Sequence, residues 1–107
     1  MSDDLPGNST EAEAEAAATA RRTVTICNQK GLHARAAARF VKTSHEFDAD
    51  IWVRKNGTVV SGRSIMGLMM LAAGPGTRIT IRAEGAEAQA AVDALAELVA
   101  NRFEEDR

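Results

Sequence analysis

The sequence predicts a two-layer α+β domain, an open-faced sandwich in which one sheet is covered on one side by helices. Four short stretches have the apolar alternation of half-buried strands, and three others have apolar residues at helical spacing. They follow one another in the order β-α-β-β-α-β-α, and a sheet with one apolar face needs a covering layer. The 107 residues, 45% of them hydrophobic, suffice for one compact domain and hardly for two.

The first two elements flank a short loop that contains a glycine. The stretch "TVTIC" alternates, which predicts a strand with Val24 and Ile26 on one face. A helix is predicted over residues 34–44. Its apolar residues at helical spacing are Ala34, Ala37, Ala38 and Val41, with Phe40 beside them.

The middle of the chain combines a hairpin with a short helix. Residues 48–62, "DADIWVRKNGTVVSG", predict a hairpin because two apolar runs flank Asn56-Gly57, a dipeptide that favours two-residue turns. Residues 64–73, "SIMGLMMLAA", predict a short apolar helix, which the following "GPG" ends.

A fourth strand and a long helix complete the domain. Residues 77–83, "TRITIRA", predict the strand, with Ile79 and Ile81 on one face. The helix is predicted over about residues 86–103. Its apolar stripe consists of Val92, Leu95, Leu98, Val99 and Phe103. The charges of "ANRFEEDR" then belong to a solvated helix end.

The N-terminal part of the chain differs in composition from the rest. Residues 1–21 are acidic and rich in alanine, which predicts a disordered tail before a folded domain over residues 22–107. No apolar run approaches the ~20 residues of a membrane span, and the N-terminus lacks a secretory pattern. We therefore expect a cytoplasmic protein without membrane association.

The cysteine and histidine content argues against a metal centre. Cys27 is the only cysteine, so an internal disulfide is excluded, and one thiol with two histidines is a poor metal set. Neither a metal nor a cofactor is expected. Cys27 is interpreted as a small buried residue of the first strand.

The formal net charge of -2 conceals an uneven distribution. Residues 1–20 carry five acids and no base, residues 21–63 carry nine bases against three acids, and residues 64–107 carry four bases against seven acids. The basic middle segment could attract an acidic partner or a phosphate. It does not predict nucleic-acid binding, because no basic cluster is interleaved with aromatic residues.

The stretch "QKGLHARAAARF" places a histidine where a loop becomes a helix. His33 falls at the expected N-cap, where free backbone N–H groups and the helix dipole favour an anion and a neutral, nucleophilic imidazole. Arg35, in the first turn, offers forked donors that match phosphate oxygens. The arrangement suits a histidine that accepts and passes on a phosphoryl group. A solvated capping histidine without chemistry is the alternative interpretation.

Two motifs decide between these interpretations by resemblance. "GLHARAAARFVK" resembles the active-site motif of the HPr family, the histidine-containing phosphocarriers of the bacterial phosphotransferase system, and "GRSIMGLMMLAA" resembles its regulatory serine region. The resemblance runs from about Thr23 to Phe103 and implies a four-stranded antiparallel sheet with three helices on one face. It also implies phosphorylation of His33 on Nδ1, with Arg35 stabilising the phosphate.

The resemblance also implies partners. Enzyme I, charged by phosphoenolpyruvate, would be the donor, and a IIA protein the acceptor. Ala36 departs from the family pattern, which has proline there. Alanine fits a helix and adds an N–H donor, so we expect phosphotransfer to survive. The sequence looks like the nitrogen-related or alphaproteobacterial branch, which puts sugar transport as the main role in doubt.

Ser64 precedes the second helix and is a suitable N-cap. Capping alone would explain it, whereas the resemblance implies regulatory phosphorylation by HPr kinase/phosphorylase. The helix after it is too apolar to bury every side chain, and Met-rich surfaces suit several partners. We assign Ile65, Met66 and Met69 to a partner surface, with Arg39 as a further contact for an acidic partner.

Two functions of different classes follow. The first is a monomeric phosphocarrier, which shuttles phosphoryl groups stoichiometrically and is not a turnover enzyme acting on a small molecule. The second is a regulatory interaction module that Ser64 phosphorylation controls, without phosphotransfer through His33. The intact "GLHAR" favours the first, because a purely regulatory protein has no need of a histidine at that position.

Overall fold

The computed structural model describes residues 19–107 and contains the predicted sandwich. Its strands are β1 (Thr19–Thr25), β2 (Asp50–Lys55), β3 (Thr58–Ser61) and β4 (Arg78–Glu84). Its helices are α1 (Ala34–Ser44), α2 (Ile65–Met70) and α3 (Ala88–Ala100). The element order β-α-β-β-α-β-α is confirmed. The strands lie in the order β1-β4-β2-β3, and every pair of neighbours is antiparallel.

The core lies between the inner face of the sheet and the helices. Strand residues alternate as predicted: Ile79 and Ile81 of β4 and Val53 of β2 are buried, while Trp52 lies on the outer face, in register with Arg82. The buried helix residues that pack on this face include Ala36, Ala37, Phe40, Leu68, Val92, Leu95 and Val99. One face of the sheet is therefore covered and the other is open.

The first strand begins four residues earlier than predicted. Thr19 is in register with Glu84, because β4 is long enough to pair with the whole of Thr19–Thr25. Ala20 is the buried residue at this end of β1, and its small side chain gave little apolar signal. The last residues of the predicted tail thus belong to the sheet, and residues 1–18 lie outside the described residues.

Two details of the predicted packing were wrong. In α1 the buried residues are Ala36, Ala37, Phe40 and Ser44, and the predicted stripe members Ala34 and Ala38 are exposed. Phe40 decides the orientation of this helix, since alanines bury too little area to do so. Cys27 follows β1 instead of lying in it and is exposed, with its thiol directed at the carbonyl oxygen of Val99, 3.3 Å away.

Both later helices end sooner than predicted. After α2, Lys55 Nζ donates to the carbonyl oxygens of Leu71 and Ala72, and Ala72 adopts a left-handed conformation with φ of 52°. After α3, Asn101 ends the helix, and the chain reverses before Phe103. Within the described part of the chain, no helix has the length and apolar character needed to cross a bilayer.

Candidate functional site

His33 lies at the N-terminus of α1, as predicted. Its backbone is extended, with φ of -80° and ψ of -176°, and its carbonyl oxygen accepts the first helical hydrogen bond, from Ala37 N at 2.8 Å. The N–H groups of residues 34–36 precede that bond, so the helix itself offers them no acceptor. They lie at the helix end that His33, whose side chain is half-buried, begins. The N-cap position of His33 is confirmed.

The loop before His33 is fixed by close backbone packing. Gly31 has φ of 65°, and a Cβ there would lie 2.5 Å from the carbonyl oxygen of Ala73. Leu32, whose side chain is buried, donates its N–H to that same oxygen at 2.9 Å. The loop that carries His33 is therefore joined to the loop after α2. Only glycine satisfies both the left-handed conformation and the close approach at residue 31.

A glutamate from the C-terminal end of the chain contacts the histidine. Glu105 Oε2 lies 2.6 Å from His33 Nε2, and the Glu105 side chain is only 14% exposed. Its other oxygen, Oε1, accepts a hydrogen bond from Nδ2 of the buried Asn28 at 3.0 Å. The prediction that the charges of "ANRFEEDR" belong to a solvated helix end was wrong for Glu105.

The C-terminal turn, residues 102–104, brings Glu105 to this place. Arg102, Phe103 and Glu104 have φ of 58°, 54° and 67°. Phe103 is fully buried, although it does not belong to the helix in which it was predicted. The guanidinium of Arg39, which is half-buried on α1, donates to the carbonyl oxygen of Phe103. Arg39, assigned from the sequence to partner binding, thus also holds this turn.

The carboxyl of Glu105 is acidified by its surroundings. Burial alone raises the pKa of a carboxyl, but the hydrogen bonds from Asn28 and His33 and the Coulomb interactions with His33 and Arg39 outweigh it. The pKa of Glu105 therefore lies below the ordinary value of 4.5. The group is a carboxylate at neutral pH.

This acidification predicts a pH-dependent contribution to stability. A carboxyl whose pKa is lower in the folded than in the unfolded chain stabilises the fold fully above its unfolded pKa, and the contribution is lost as pH falls through the folded pKa. We expect the free energies of unfolding of the wild type and Glu105→Gln to differ at neutral pH, and the difference to shrink as pH falls below 4.5 and through the lowered pKa of Glu105. Glu104→Gln, at an exposed position, is the control. A difference that grows as pH falls below 4.5 would contradict the assignment.

Arg35 and a polar cleft complete the surroundings of His33. Arg35 is exposed, and its guanidinium has no hydrogen bond or ion pair with another residue of 19–107. The cleft is lined by Gln29, Lys30, His33, Arg35, Arg39, Glu104, Glu105, Asp106 and Arg107. An anion that enters it meets the basic side chains of α1 on one side and the acidic C-terminal residues on the other.

Ser64 caps α2, as predicted. Its Oγ accepts a hydrogen bond from Gly67 N at 2.9 Å, and its backbone is extended. Gly67 packs closely on the preceding strand, since a Cβ there would lie 3.1 Å from Cβ of Val60. The serine is half-buried, so its hydroxyl has a structural use whether or not it is modified.

The predicted partner residues of α2 are exposed. Ile65 is 41%, Met66 69% and Met69 40% exposed, whereas Leu68 is fully buried in the core. Met70, which the sequence analysis did not assign, is 75% exposed and belongs to the same surface. We call Ile65, Met66, Met69 and Met70 the α2 surface. Four bulky apolar side chains on one short helix favour an interaction site.

Comparison with known proteins gives a consistent result. The family model described as "PTS HPr component phosphorylation site" matches residues 20–101. The phosphocarrier protein HPr of Neisseria meningitidis serogroup A is 45% identical over 85 residues, which cover 79% of this chain and 96% of that protein. The phosphocarrier protein NPr of Shewanella violacea is 45% identical over 84 residues, covering 78% and 92%.

Solved structures agree with the sequence comparisons. HPr-C-His from Thermoanaerobacter tengcongensis matches with a TM-score of 0.78 and 40% identity, over 82% of this chain and 99% of that one. A phosphocarrier protein HPr from Bacillus anthracis matches with a TM-score of 0.73 and 45% identity, over 77% and 98%. His33, Arg35 and Ser64 lie within the residues that the family model matches, and Glu105 lies beyond them.

Proposed function

This chain belongs to the HPr family of phosphocarrier proteins of the phosphotransferase system, and from that premise we propose that it carries a phosphoryl group on Nδ1 of His33. The observation that carries the proposal is that His33 is the N-cap of α1, at the helix end where the N–H groups of residues 34–36 have no acceptor within the helix. A helix N-terminus stabilises negative charge through these donors and through the helix dipole. The phosphoryl group would gain this stabilisation on arrival.

In the proposed transfer, Arg35 supplies a positive charge that binds the phosphoryl group. Its guanidinium is exposed and unengaged within residues 19–107, so it is available to bind phosphoryl oxygens. Ala36 lies in the first turn of α1 with its side chain fully buried, and its N–H adds a donor that proline would lack. The departure from the family pattern at Ala36 therefore leaves the phosphate site intact.

The partners of the proposed transfer follow from the family. The donor is Enzyme I, charged by phosphoenolpyruvate, and the acceptor is a IIA protein, all in the cytoplasm. The protein acts as a monomer that docks on one partner at a time. The α2 surface supports this, because the loop after α2 is hydrogen-bonded to the loop that carries His33. A partner bound there would lie beside the imidazole.

The test is the intact mass of the protein after incubation with Enzyme I and phosphoenolpyruvate at alkaline pH. One added phosphate is expected in the wild type and none in His33→Ala. Arg35→Ala should still be phosphorylated, but about 100-fold more slowly, the usual loss when one charge-stabilising donor is removed. A wild-type protein that stays unmodified by a competent cognate Enzyme I would refute the carrier function. The regulatory interaction module, which uses the α2 surface and Ser64, would then replace it.

We also propose that phosphorylation of Ser64, by HPr kinase/phosphorylase or an equivalent kinase, regulates the carrier. Ser64 is the N-cap of α2 and adjoins the α2 surface. A phosphate adds about -1.5 to -2 charges there, and a helix N-terminus tolerates negative charge. The modification would leave α2 folded. It would oppose docking through repulsion and through the desolvation of a charge next to apolar side chains.

Ser64→Asp is expected to mimic this effect. Binding to Enzyme I should weaken by about 10-fold, corresponding to about 1.4 kcal/mol, while the circular dichroism spectrum and the melting temperature stay close to those of the wild type. Ser64→Ala is the matched control, because it removes the cap without adding charge and should reduce stability by about 1 kcal/mol. Equal binding of Ser64→Asp and Ser64→Ala to Enzyme I would contradict the electrostatic mechanism.

A further inference from the structure

We propose that Glu105 is a positioning residue for phosphoryl transfer: its carboxylate holds the imidazole proton of His33 on Nε2, so that Nδ1 carries the lone pair that attacks phosphorus. The inference rests on the proposed function of His33 and adds to it a residue outside the range that the family model matches. Glu105 would act through the histidine and would not contact the phosphoryl group.

The chemistry of the contact fixes the direction of the hydrogen bond. Glu105 Oε2 and His33 Nε2 are 2.6 Å apart, a short distance typical of a charge-assisted bond. An ionised carboxylate only accepts, so Nε2 must donate. A neutral imidazole carries one proton on its two ring nitrogens, and a proton held at Nε2 leaves Nδ1 with a free lone pair.

The carboxylate itself is held in place from its other side. Nδ2 of Asn28 donates to Glu105 Oε1 at 3.0 Å and to the carbonyl oxygen of Gly31 at 2.8 Å. Asn28 is fully buried, so its amide is fixed relative to the loop before His33. Each oxygen of Glu105 therefore has its own donor. The carboxylate and the imidazole are therefore both positioned by the loop before His33.

The backbone departs from its preferred conformations to make this contact. Three consecutive residues of the C-terminal turn, none of them glycine, have φ between 54° and 67°. Such conformations are unfavourable for L-residues and persist where the surroundings fix them, often at functional sites. The buried Phe103 ring and the bond from Arg39 to its carbonyl oxygen provide that fixation. Their combined effect is to deliver Glu105 to Nε2.

The transfer step balances without movement of the ring proton. The Nδ1 lone pair forms the N–P bond, and the bond from phosphorus to the donor's leaving group breaks with its electron pair going to the donor. The ring keeps its Nε2–H and becomes cationic, and this charge develops against the Glu105 carboxylate. Onward transfer reverses the change, since the N–P bond breaks and its electrons return to Nδ1. Glu105 thus favours formation of the N–P bond by orientation and by charge, and in onward transfer it contributes by keeping the ring in the same orientation.

The first measurement is the tautomer of His33 in the unphosphorylated full chain, by ¹⁵N NMR of labelled histidine at alkaline pH, where the ring is neutral. We expect the wild type to carry its proton on Nε2 and Glu105→Ala to populate the Nδ1–H form as well. Glu104→Gln, a neighbouring exposed carboxylate without a bond to His33, is the control and should match the wild type. A wild-type Nδ1–H tautomer, or an unchanged tautomer in Glu105→Ala, would overturn the proposal.

The second measurement is the single-turnover rate of phosphorylation by Enzyme I and phosphoenolpyruvate. Glu105→Ala should be slower by about 10- to 100-fold, the loss usual when a hydrogen-bond partner that orients a metal-ligating histidine is removed. Glu105→Gln can still accept a hydrogen bond from Nε2, so it should keep the tautomer and the fold and lose only the contribution of charge. Its phosphorylation rate should lie between those of the wild type and Glu105→Ala. A changed tautomer with an unchanged rate would refute the positioning role. The NMR result needs no Enzyme I, so failure of the carrier function would be recognised separately, by absence of phosphorylation in the wild type.

Discussion

Phe103→Ala is expected to lower the free energy of unfolding by about 3–5 kcal/mol, the range for removing a fully buried phenylalanine side chain. The Phe103 ring has no exposed surface and is the one large apolar side chain of the C-terminal turn. Its loss removes the apolar anchor of a backbone that is already in an unfavourable conformation. Chemical denaturation at neutral pH measures the change.

The same substitution is expected to slow phosphorylation of His33. With the anchor removed, the turn is free to leave its left-handed conformation, and Glu105 then loses its position next to Nε2. Phe47→Ala is the matched control, since Phe47 is only partly buried and lies at the far end of α1. It should cost less stability and leave the phosphorylation rate unchanged. A loss of less than about 1 kcal/mol in Phe103→Ala would show that the turn is not part of the packed core.

Gly31→Ala is expected to have the second large effect, on both stability and phosphorylation. A Cβ at residue 31 would lie 2.5 Å from the Ala73 carbonyl oxygen and 2.8 Å from Cα of Gly74, and both are backbone atoms that cannot rotate away. The left-handed φ of 65° adds about 1–2 kcal/mol for an L-residue, and the forced shift adds about 1–3 kcal/mol. We expect a loss of stability of about 2–5 kcal/mol, measured by chemical denaturation.

Two other glycines separate the contributions to this loss. Gly76 also has a positive φ, 86°, but an added Cβ meets nothing within 4 Å, so Gly76→Ala reports the conformational term alone. Gly57 has neither a positive φ nor a near neighbour, so Gly57→Ala should be close to neutral. If Gly31→Ala and Gly76→Ala are equally destabilising, the close approach to Ala73 contributes nothing, and the expected loss of phosphorylation should disappear with it.

The elements that the sequence predicted well are those with a strong apolar pattern. The alternation in β4 and the Asn56-Gly57 turn predicted the correct element order and the pairing of β2 with β3, because the pattern reflects the single buried face of the sheet. The start of β1 was missed because Ala20 is small and the preceding residues carry no apolar contrast. The face of α1 was misjudged for the same reason, since several alanines compete and only Phe40 decides.

The two N-cap residues, His33 and Ser64, differ from Glu105 in how far local sequence determines their positions. The N-cap positions of His33 and Ser64 were predicted correctly because a glycine–leucine–histidine turn and a serine before an apolar run are local signals of helix starts. Glu105 could not be found in this way. Phe103 fits the apolar stripe of α3, so the periodicity predicted a helix through residue 103 and gave no sign of the left-handed turn at residues 102–104. Only tertiary packing explains three left-handed residues without a glycine, and sequence periodicity does not contain that information.

The hydrogen bond between Leu32 N and Ala73 O, at 2.9 Å, has a consequence for how recognition is converted into reactivity. It joins the loop that follows α2 directly to the loop that carries His33. In the proposed transfer, a partner that binds the methionines of α2 would therefore give up its translational and rotational freedom relative to His33 in the same event. The reaction would become effectively unimolecular, and contacts remote from phosphorus would raise the local concentration of the reacting groups. Successive partners that dock on this surface would all meet the same nitrogen in the same place, so one small domain can serve as a common adaptor between different phosphoryl donors and acceptors.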